Sequence, residues 1–393
     1  MRTTQFFQQL PPEAQVLFLL CQTEISNEVN QRIIEQIQLS FDWDLFTKMA
    51  IRTHLAAFVY QSMRTQTAIS IPEKSRQALK LYQLKIVSTN AVLFNEFDLL
   101  AEACANKGLR IIPLKGIYFA EKIYDNELIR QLSDVDVMYY PTEKKAFLKT
   151  VQELGWDIVP YYYKSNFHKK HQVFHAPYQG VKGKFCLDLH DRFINDNFAF
   201  QFPVSTVLEK CSTIICRENN VLVLDPVDCL IYTCLHAFKH LYYGDIKISS
   251  LLDIHQFMLK KQQEITLKNL KQRCLEFKCE KEVYQLLACT NELFNCKSIV
   301  LFNELTLPPI NASFKQVILN TLVDKKMTAS AKINIEFIHR NTTKIGWKKI
   351  GLIWFDLFPS KEYLSIKHGK KTYLSNWMDR SSRFFKRITK FNS

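Results

Sequence analysis

The stretch LRIIPLKGIYFAEKIYDNELIRQLSDVDVMYY, residues 109–140, decides the fold of this chain. It begins with the apolar run 109–114, which predicts a buried strand that ends at Lys115-Gly116. A short helical segment follows, and a second apolar run over 133–140 predicts the next strand. A strand, a helix and a strand in quick succession predict a domain that mixes α and β structure.

Two carboxylates lie inside the second of these strands. Asp134 and Asp136 are two residues apart, and alternate side chains of a strand point to opposite faces. They therefore share one face with Met138, whereas Val135 and Val137 share the other. Two like charges held side by side repel each other, and a hard divalent cation relieves the repulsion because Mg²⁺ prefers carboxylate oxygens.

A third carboxylate has the same setting. In KFCLDLH, residues 184–190, Asp188 and His190 share one face of a predicted strand. If this strand lies beside the strand that carries Asp134 and Asp136, three carboxylates meet on one sheet face. Such a set can bind two Mg²⁺ ions and support in-line attack at phosphorus, with Asp188 as the general base or metal-held activator.

Other polar residues near these strands are weaker candidates. Asp191 would point to the opposite face of a regular strand, and Asp196 lies further along the chain. His168, His171 and His175 have a spacing that matches no zinc pattern.

A histidine pair follows in a predicted helix. His236 and His240 are one turn apart and would either chelate a metal on one helix face or line a pocket or the core. Because no H-E-x-x-H pattern is present, the lining role is the prediction.

The pattern along the chain predicts an α+β protein in which a mixed sheet is embedded between helical N- and C-terminal regions. One long helix over 73–106 precedes the sheet, and helices resume from Pro203. Further strands are predicted at 156–163, 171–177 and 183–190, and a late helix at 330–356. The predicted regions are a helical 1–70, a sheet core 71–200, a helical domain 201–310 and a basic, largely helical 311–393.

The positive charge is concentrated at the C-terminal end. Of a net charge of +14, the segment 340–393 carries 13 Lys and Arg against three acidic residues, a surplus of +10. Such a segment indicates an anionic partner, namely nucleic acid, a membrane surface or an acidic protein, or else a solvated basic face.

Cysteine usage and hydropathy indicate a cytoplasmic protein. None of the 11 cysteines forms a C-x-x-C pair, which is typical of reduced residues in a cytosolic core. No segment approaches the roughly 18 apolar residues that a transmembrane helix needs. The N-terminal apolar run is too short for a signal peptide.

These motifs together resemble a known fold. Lys-Gly after a strand, then a helix, then R-x-x-S-D-x-D and a D-x-H strand resemble the nucleotidyltransferase fold of the polymerase-beta superfamily. The chain looks most like the family of uncharacterised nucleotidyltransferases in bacteria. Its FDWDL at 41–45, LHAFKH at 235–240 and LLDIH at 251–255 are similar to further patterns of that family, so the resemblance covers most of 10–300.

The resemblance implies a metal-dependent enzyme. Asp134 and Asp136 would be metal ligands for Mg²⁺ or Mn²⁺, and Asp188 would be the third acid. An NTP, such as ATP, would donate its nucleoside monophosphate to an acceptor hydroxyl.

The residues in front of the carboxylates would bind the nucleotide. Lys115-Gly116 stands where many superfamily members have Gly-Ser, so a lysine would hold the phosphates or pair with an aspartate. Arg130 and Ser133 would position the phosphates or the base, although Arg130 is equally predicted as part of a structural ion pair. His190 would contact substrate or a carboxylate.

The sequence allows three hypotheses about the acceptor. A nucleic acid such as a tRNA end is one hypothesis, because of the basic residues 340–393. A small molecule or a protein side chain is the second, and a catalytically inactive nucleotide- or partner-binding module is the third. The sequence leaves the oligomeric state undetermined.

Overall fold

A computed structural model describes most of the chain in ten segments. They are residues 5–22, 25–65, 69–124, 126–160, 178–194, 198, 200–243, 246–323, 358 and 360–361. The predicted strand at 171–177, the helix at 330–356, the three histidines at 168, 171 and 175, Asp196, and nearly all of the basic segment lie outside them. None of the helices in the described part is long and apolar enough to cross a membrane.

Six helices precede the sheet. They are α1 (Gln5–Gln8), α2 (Pro12–Leu20), α3 (Asn27–Ser40), α4 (Trp43–Arg52), α5 (Ala56–Thr65) and α6 (Glu73–Asn106). The predicted long helix over 73–106 is confirmed. It ends where Gly108 adopts a positive φ of 65°, a backbone conformation that favours glycine, and where the Leu109 N–H donates to the Cys104 carbonyl.

The sheet core has five strands in the order β1-β2-β5-β4-β3. They are β1 (Ile111–Pro113), β2 (Val135–Tyr139), β3 (Asp157–Pro160), β4 (Tyr178–Lys182) and β5 (Phe185–His190). Helix α7 (Gly116–Lys122) connects β1 and β2, and a 3-10 turn (Pro141–Glu143) with α8 (Lys144–Glu153) connects β2 and β3. Strands β2 and β5 are parallel, and the other neighbours are antiparallel, so the α+β prediction is confirmed.

The two faces of β2 are both covered, by different groups of helices. Val135, Val137 and Tyr139 pack in a core cluster with apolar residues of α6 and α8. Met138 packs in the larger cluster on the other face, which holds the helices that follow the sheet. Because Asp136 shares the face of Met138, it points toward those helices.

In the described residues that follow the sheet, the regular structure is helical except for one hairpin. The helices are α9 (Val204–Leu208), α10 (Pro226–Tyr243), α11 (Ile248–Lys261), α12 (Leu267–Phe277), α13 (Glu280–Phe294), α14 (Val300–Glu304) and α15 (Ala312–Leu322), with a 3-10 turn (Cys296–Ser298) before α14. Helix α10 begins with Pro226 in its first turn, after Asp225, whose side chain accepts a hydrogen bond from the Val227 N–H at 3.0 Å.

The prediction that helices simply resume at Pro203 was wrong over the hairpin of β6 (Ser212–Cys216) and β7 (Asn219–Val223). Its two-residue turn, Arg217-Glu218, has positive φ at both positions, 48° and 67°. Such turns usually show Asn-Gly or Asp-Gly, so the sequence carried no turn signal here. The conformation is supported by Arg217, whose guanidinium pairs with Asp98 and Glu127.

Candidate active site

The pairing of β2 with β5 brings the predicted carboxylates together. The register places Asp136 directly beside Asp188, as the sequence predicted for neighbouring strands. Asp134 lies one residue before β2 and lines the same cavity, which has a volume of about 200 Å³. The three carboxylates therefore line one cavity.

The cavity lies between the sheet and the helices that follow it. The sheet side and its loops contribute Lys115, Gly116, Arg130, Gln131, Leu132, Ser133, Asp134, Asp136 and Asp188. The helical side contributes Thr233, His236, Lys239, His240, Lys247, Ser249, Ser250 and Asp253. His54, between α4 and α5, also lines the cavity. The sheet side is thus rich in carboxylates, and the helical side is rich in cationic and hydroxyl groups.

Asp136 is the most tightly held of the three acids. Its Oδ1 accepts a hydrogen bond from Lys115 Nζ at 3.1 Å and lies 2.9 Å from His190 Nε2. Burial alone raises the pKa of Asp136, but the charge of Lys115 and the hydrogen bond from His190 outweigh it and hold the pKa well below its usual range. Asp136 is therefore ionised although only 7% exposed.

Asp134 and Asp188 have more open surroundings. Burial and the neighbouring charge of Asp136 raise the pKa of Asp134. The Ser133 hydroxyl donates to Asp134 Oδ1 at 3.0 Å, and the Gln179 amide donates to Asp188 Oδ1 at 2.9 Å. Ser133 therefore contacts an acid at the cavity edge, and its role toward a nucleotide stays a prediction.

Lys115 connects the two sides of the cavity. Its ammonium, which pairs with Asp136, is also 3.0 Å from His236 Nε2. Burial lowers the pKa of Lys115, but Asp136 outweighs it and raises the pKa, so the lysine stays charged. The ion pair with an aspartate that the sequence predicted as an alternative is therefore present.

The backbone at Lys115-Gly116 is unusual. Lys115 has φ 46° and ψ −100°, a conformation that favours glycine. A Cβ at Gly116 would lie 3.1 Å from Leu132 Cδ2, so glycine permits the close approach of α7 to the loop before β2.

Arg130 forms the ion pair that was one of its two predicted roles. Its guanidinium donates to both carboxylate oxygens of Asp253 on α11, at 2.8 and 2.7 Å. Arg130 also lines the cavity, and a contact with phosphate stays a prediction.

The lining role that the sequence predicted for His236 and His240 is confirmed, whereas the other lining residues of the helical side were not identified as such from the sequence. Thr233, His236, Lys239 and His240 are spaced by three and four residues, the spacing of one helix face, and all line the cavity. Burial and the nearby Lys115 lower the pKa of Lys239 to about 7. Burial and Lys239 likewise lower the pKa of His240 to about 3, which leaves this imidazole neutral.

The donor atoms fit a divalent cation. One carboxylate oxygen each from Asp136 and Asp188 and one ring nitrogen of His190 all lie within 4.8 Å of one another. Oxygen donors of this kind suit hard cations such as Mg²⁺, and Mn²⁺ also accepts imidazole nitrogen. His190 is fully buried and is outside the cavity lining of the described residues, so its contact orients the Asp136 carboxylate from the buried side.

The comparison with protein families agrees with this geometry. The sequence model of the uncharacterised nucleotidyltransferases matches residues 40–295, which contain the whole sheet, α10 and α11. The chain belongs to this family. Membership supports nucleotidyl transfer in general and an NTP as substrate. No curated protein and no solved structure matches the chain.

Proposed function

We propose that this family member is a divalent-metal-dependent nucleotidyltransferase that moves a nucleoside monophosphate from an NTP to an acceptor hydroxyl. The observation that carries the proposal is the side-by-side placement of Asp136 and Asp188 on parallel strands, with Asp134 lining the same cavity. Mg²⁺ or Mn²⁺ held by Asp134, Asp136 and Asp188 would neutralise charge on the reacting phosphate oxygens.

The balanced reaction makes one phosphorus–oxygen bond and breaks another. The acceptor oxygen attacks the α-phosphorus, and the bond from that phosphorus to the bridging oxygen of the β-phosphate breaks. Pyrophosphate leaves with the bonding electron pair. The hydroxyl proton passes to Asp188, which the Gln179 amide holds by a hydrogen bond at 2.9 Å.

Two other residues prepare the site without taking the proton. Lys115 stays charged beside Asp136 and limits the repulsion among the carboxylates when the metal is absent. His190 fixes the orientation of the Asp136 carboxylate from the buried side.

The test is transfer of label from α-³²P NTPs, with Mg²⁺ or Mn²⁺, to total RNA, small metabolites and protein. Asp136→Asn should abolish transfer while Asp157→Asn, at an exposed aspartate on β3 of the same sheet, should leave it unchanged. Mn²⁺ binding, measured by electron paramagnetic resonance, should likewise be lost in Asp136→Asn and retained in Asp157→Asn. Nucleotide binding without transfer to any fraction would leave the inactive binding module as the better description.

We propose RNA as the acceptor because residues 340–393 carry a strong positive charge. If that segment binds RNA, affinity should fall steeply with salt and should be lost when the segment is removed. Label that appears on a small molecule or a protein, with RNA affinity unchanged by the truncation, would support the alternative acceptor class.

A further inference from the structure

The two cations predicted to hold the triphosphate already have carboxylate partners. Lys115 contacts Asp136 at 3.1 Å, and Arg130 makes two hydrogen bonds to Asp253. Each pair is largely buried, and in each pair the positive charge is balanced by one carboxylate. A nucleotide would bring several more negative charges into a cavity whose sheet side already holds three carboxylates.

The helical side of the cavity has the complementary chemistry. Lys239 and His240 lie on α10, Lys247 lies just before α11, and Ser249 and Ser250 are in the first turn of α11. Lys239 is partly buried, whereas Lys247 is exposed at the cavity edge. Two lysines and two hydroxyls thus surround the space that faces the carboxylates.

We propose that Lys239, Lys247 and the hydroxyls of Ser249 and Ser250 form a subsite for the β- and γ-phosphates of the nucleotide. Lysine ammonium groups bind phosphate oxygens as compact charges, and serine hydroxyls donate further hydrogen bonds. That the bound anion is the triphosphate of an NTP rests on the proposed function. The subsite on its own would bind inorganic pyrophosphate.

The position of the subsite suits the leaving group of the reaction. Negative charge develops on the pyrophosphate as the bond to the α-phosphorus breaks, and cations on the helical side would stabilise that charge. Burial and the nearby Lys115 lower the pKa of Lys239, and a bound phosphate oxygen would favour the charged form of this lysine.

The test measures binding of inorganic pyrophosphate to the full chain by calorimetry, with and without Mg²⁺. Lys239→Met should weaken binding by about tenfold or more, as expected when a charged hydrogen bond is lost. Lys247→Met should weaken it less, because this lysine is exposed. Lys268→Met, at an exposed lysine on α12, is the matched control and should bind like the wild type.

Two further measurements keep the proposal falsifiable. Lys239→Arg should retain most of the affinity, and thermal unfolding should show that each variant is folded. If Lys239→Met does not fold, Lys247→Met together with Ser250→Ala decides the question. A folded Lys239→Met with wild-type affinity, or a wild type that binds no pyrophosphate in either condition, would overturn the subsite.

The test of the subsite and the test of the proposed function can give different results. A wild type that transfers no nucleotide but binds pyrophosphate through Lys239 would support the subsite and contradict the enzyme. A wild type that transfers nucleotide, with KM for NTP and pyrophosphate affinity unchanged in folded Lys239→Met, would support the enzyme and contradict the subsite.

Discussion

Arg130 donates two hydrogen bonds to Asp253, one to each carboxylate oxygen, at 2.8 and 2.7 Å. The pair joins the loop before β2 to α11 and thereby fixes the sheet side of the cavity against its helical side. The Tyr124 hydroxyl donates a third hydrogen bond to the same carboxylate at 2.8 Å. Because all three groups are largely buried, the relative position of the two sides depends on this contact.

Replacement of Asp253 by Asn should strongly destabilise the protein. The change leaves the Arg130 charge buried without its counter-ion, which typically costs about 3–5 kcal/mol of unfolding free energy. Urea unfolding of the two proteins gives this difference. Asp44→Asn, which breaks the exposed pair of Asp44 with Lys74, is the control and should cause no measurable change. A loss below about 1 kcal/mol for Asp253→Asn would show that the buried pair contributes no more than a surface pair.

His190 should support metal binding by holding Asp136. It is fully buried, and its Nε2 is 2.9 Å from Asp136 Oδ1. Loss of such a supporting hydrogen bond typically lowers metal affinity or activity by about 10–100-fold. We therefore expect His190→Leu to bind Mn²⁺ more weakly in a titration followed by electron paramagnetic resonance. His255→Leu, at a buried histidine outside the cavity, should bind Mn²⁺ with the affinity of the wild type. Equal affinities in the two variants would contradict a positioning role for His190.

The strand periodicity predicted the face on which each acid of the site lies, because Asp136 and Asp188 each alternate with apolar residues. That their strands are neighbours was a condition of the prediction, and the structure meets it. The long helix α6 was equally predictable, since its apolar stripe and Gly108 are local signals.

The partners of those residues were not predictable from local patterns. Arg130 and Asp253 are 123 residues apart, and nothing near Arg130 indicates which carboxylate it meets. Lys239 looks like any lysine of an amphipathic helix until the packing of α10 directs it into the cavity. Long-range packing decides both contacts, and a single sequence does not record it.

Lys115 should be strained because its φ of 46° and ψ of −100° suit glycine. The strain can be measured by comparing Lys115→Gly with Lys115→Ala, because both variants lose the same ammonium group. Lys115→Gly should be more stable by about 1 kcal/mol in denaturant unfolding. The positive control is Lys278, which has φ 55° after α12, where Gly should likewise exceed Ala. A stability advantage of Gly at Lys278 but not at Lys115 would show that the backbone at Lys115 relaxes in the variants.

His255 should make the protein less stable in mild acid. It is 4% exposed, packs against Phe294, and its buried Nδ1 has no hydrogen-bond partner among the described residues. Burial lowers the pKa of His255 from 6.5 to about 4. Between these values the unfolded chain binds a proton that the folded chain does not, so the free energy of unfolding falls as the pH drops from 6.5 toward 4.

Substitution of His255 by Leu removes this contribution. Relative to the variant, the wild type should lose on the order of 3 kcal/mol of unfolding free energy across that window and little more below it. Denaturant unfolding of both proteins at several pH values measures the difference directly. His240, whose pKa burial also lowers, contributes in the same direction to both proteins and cancels in the comparison. A difference in stability that stays constant with pH would show that His255 keeps its ordinary pKa in the folded protein.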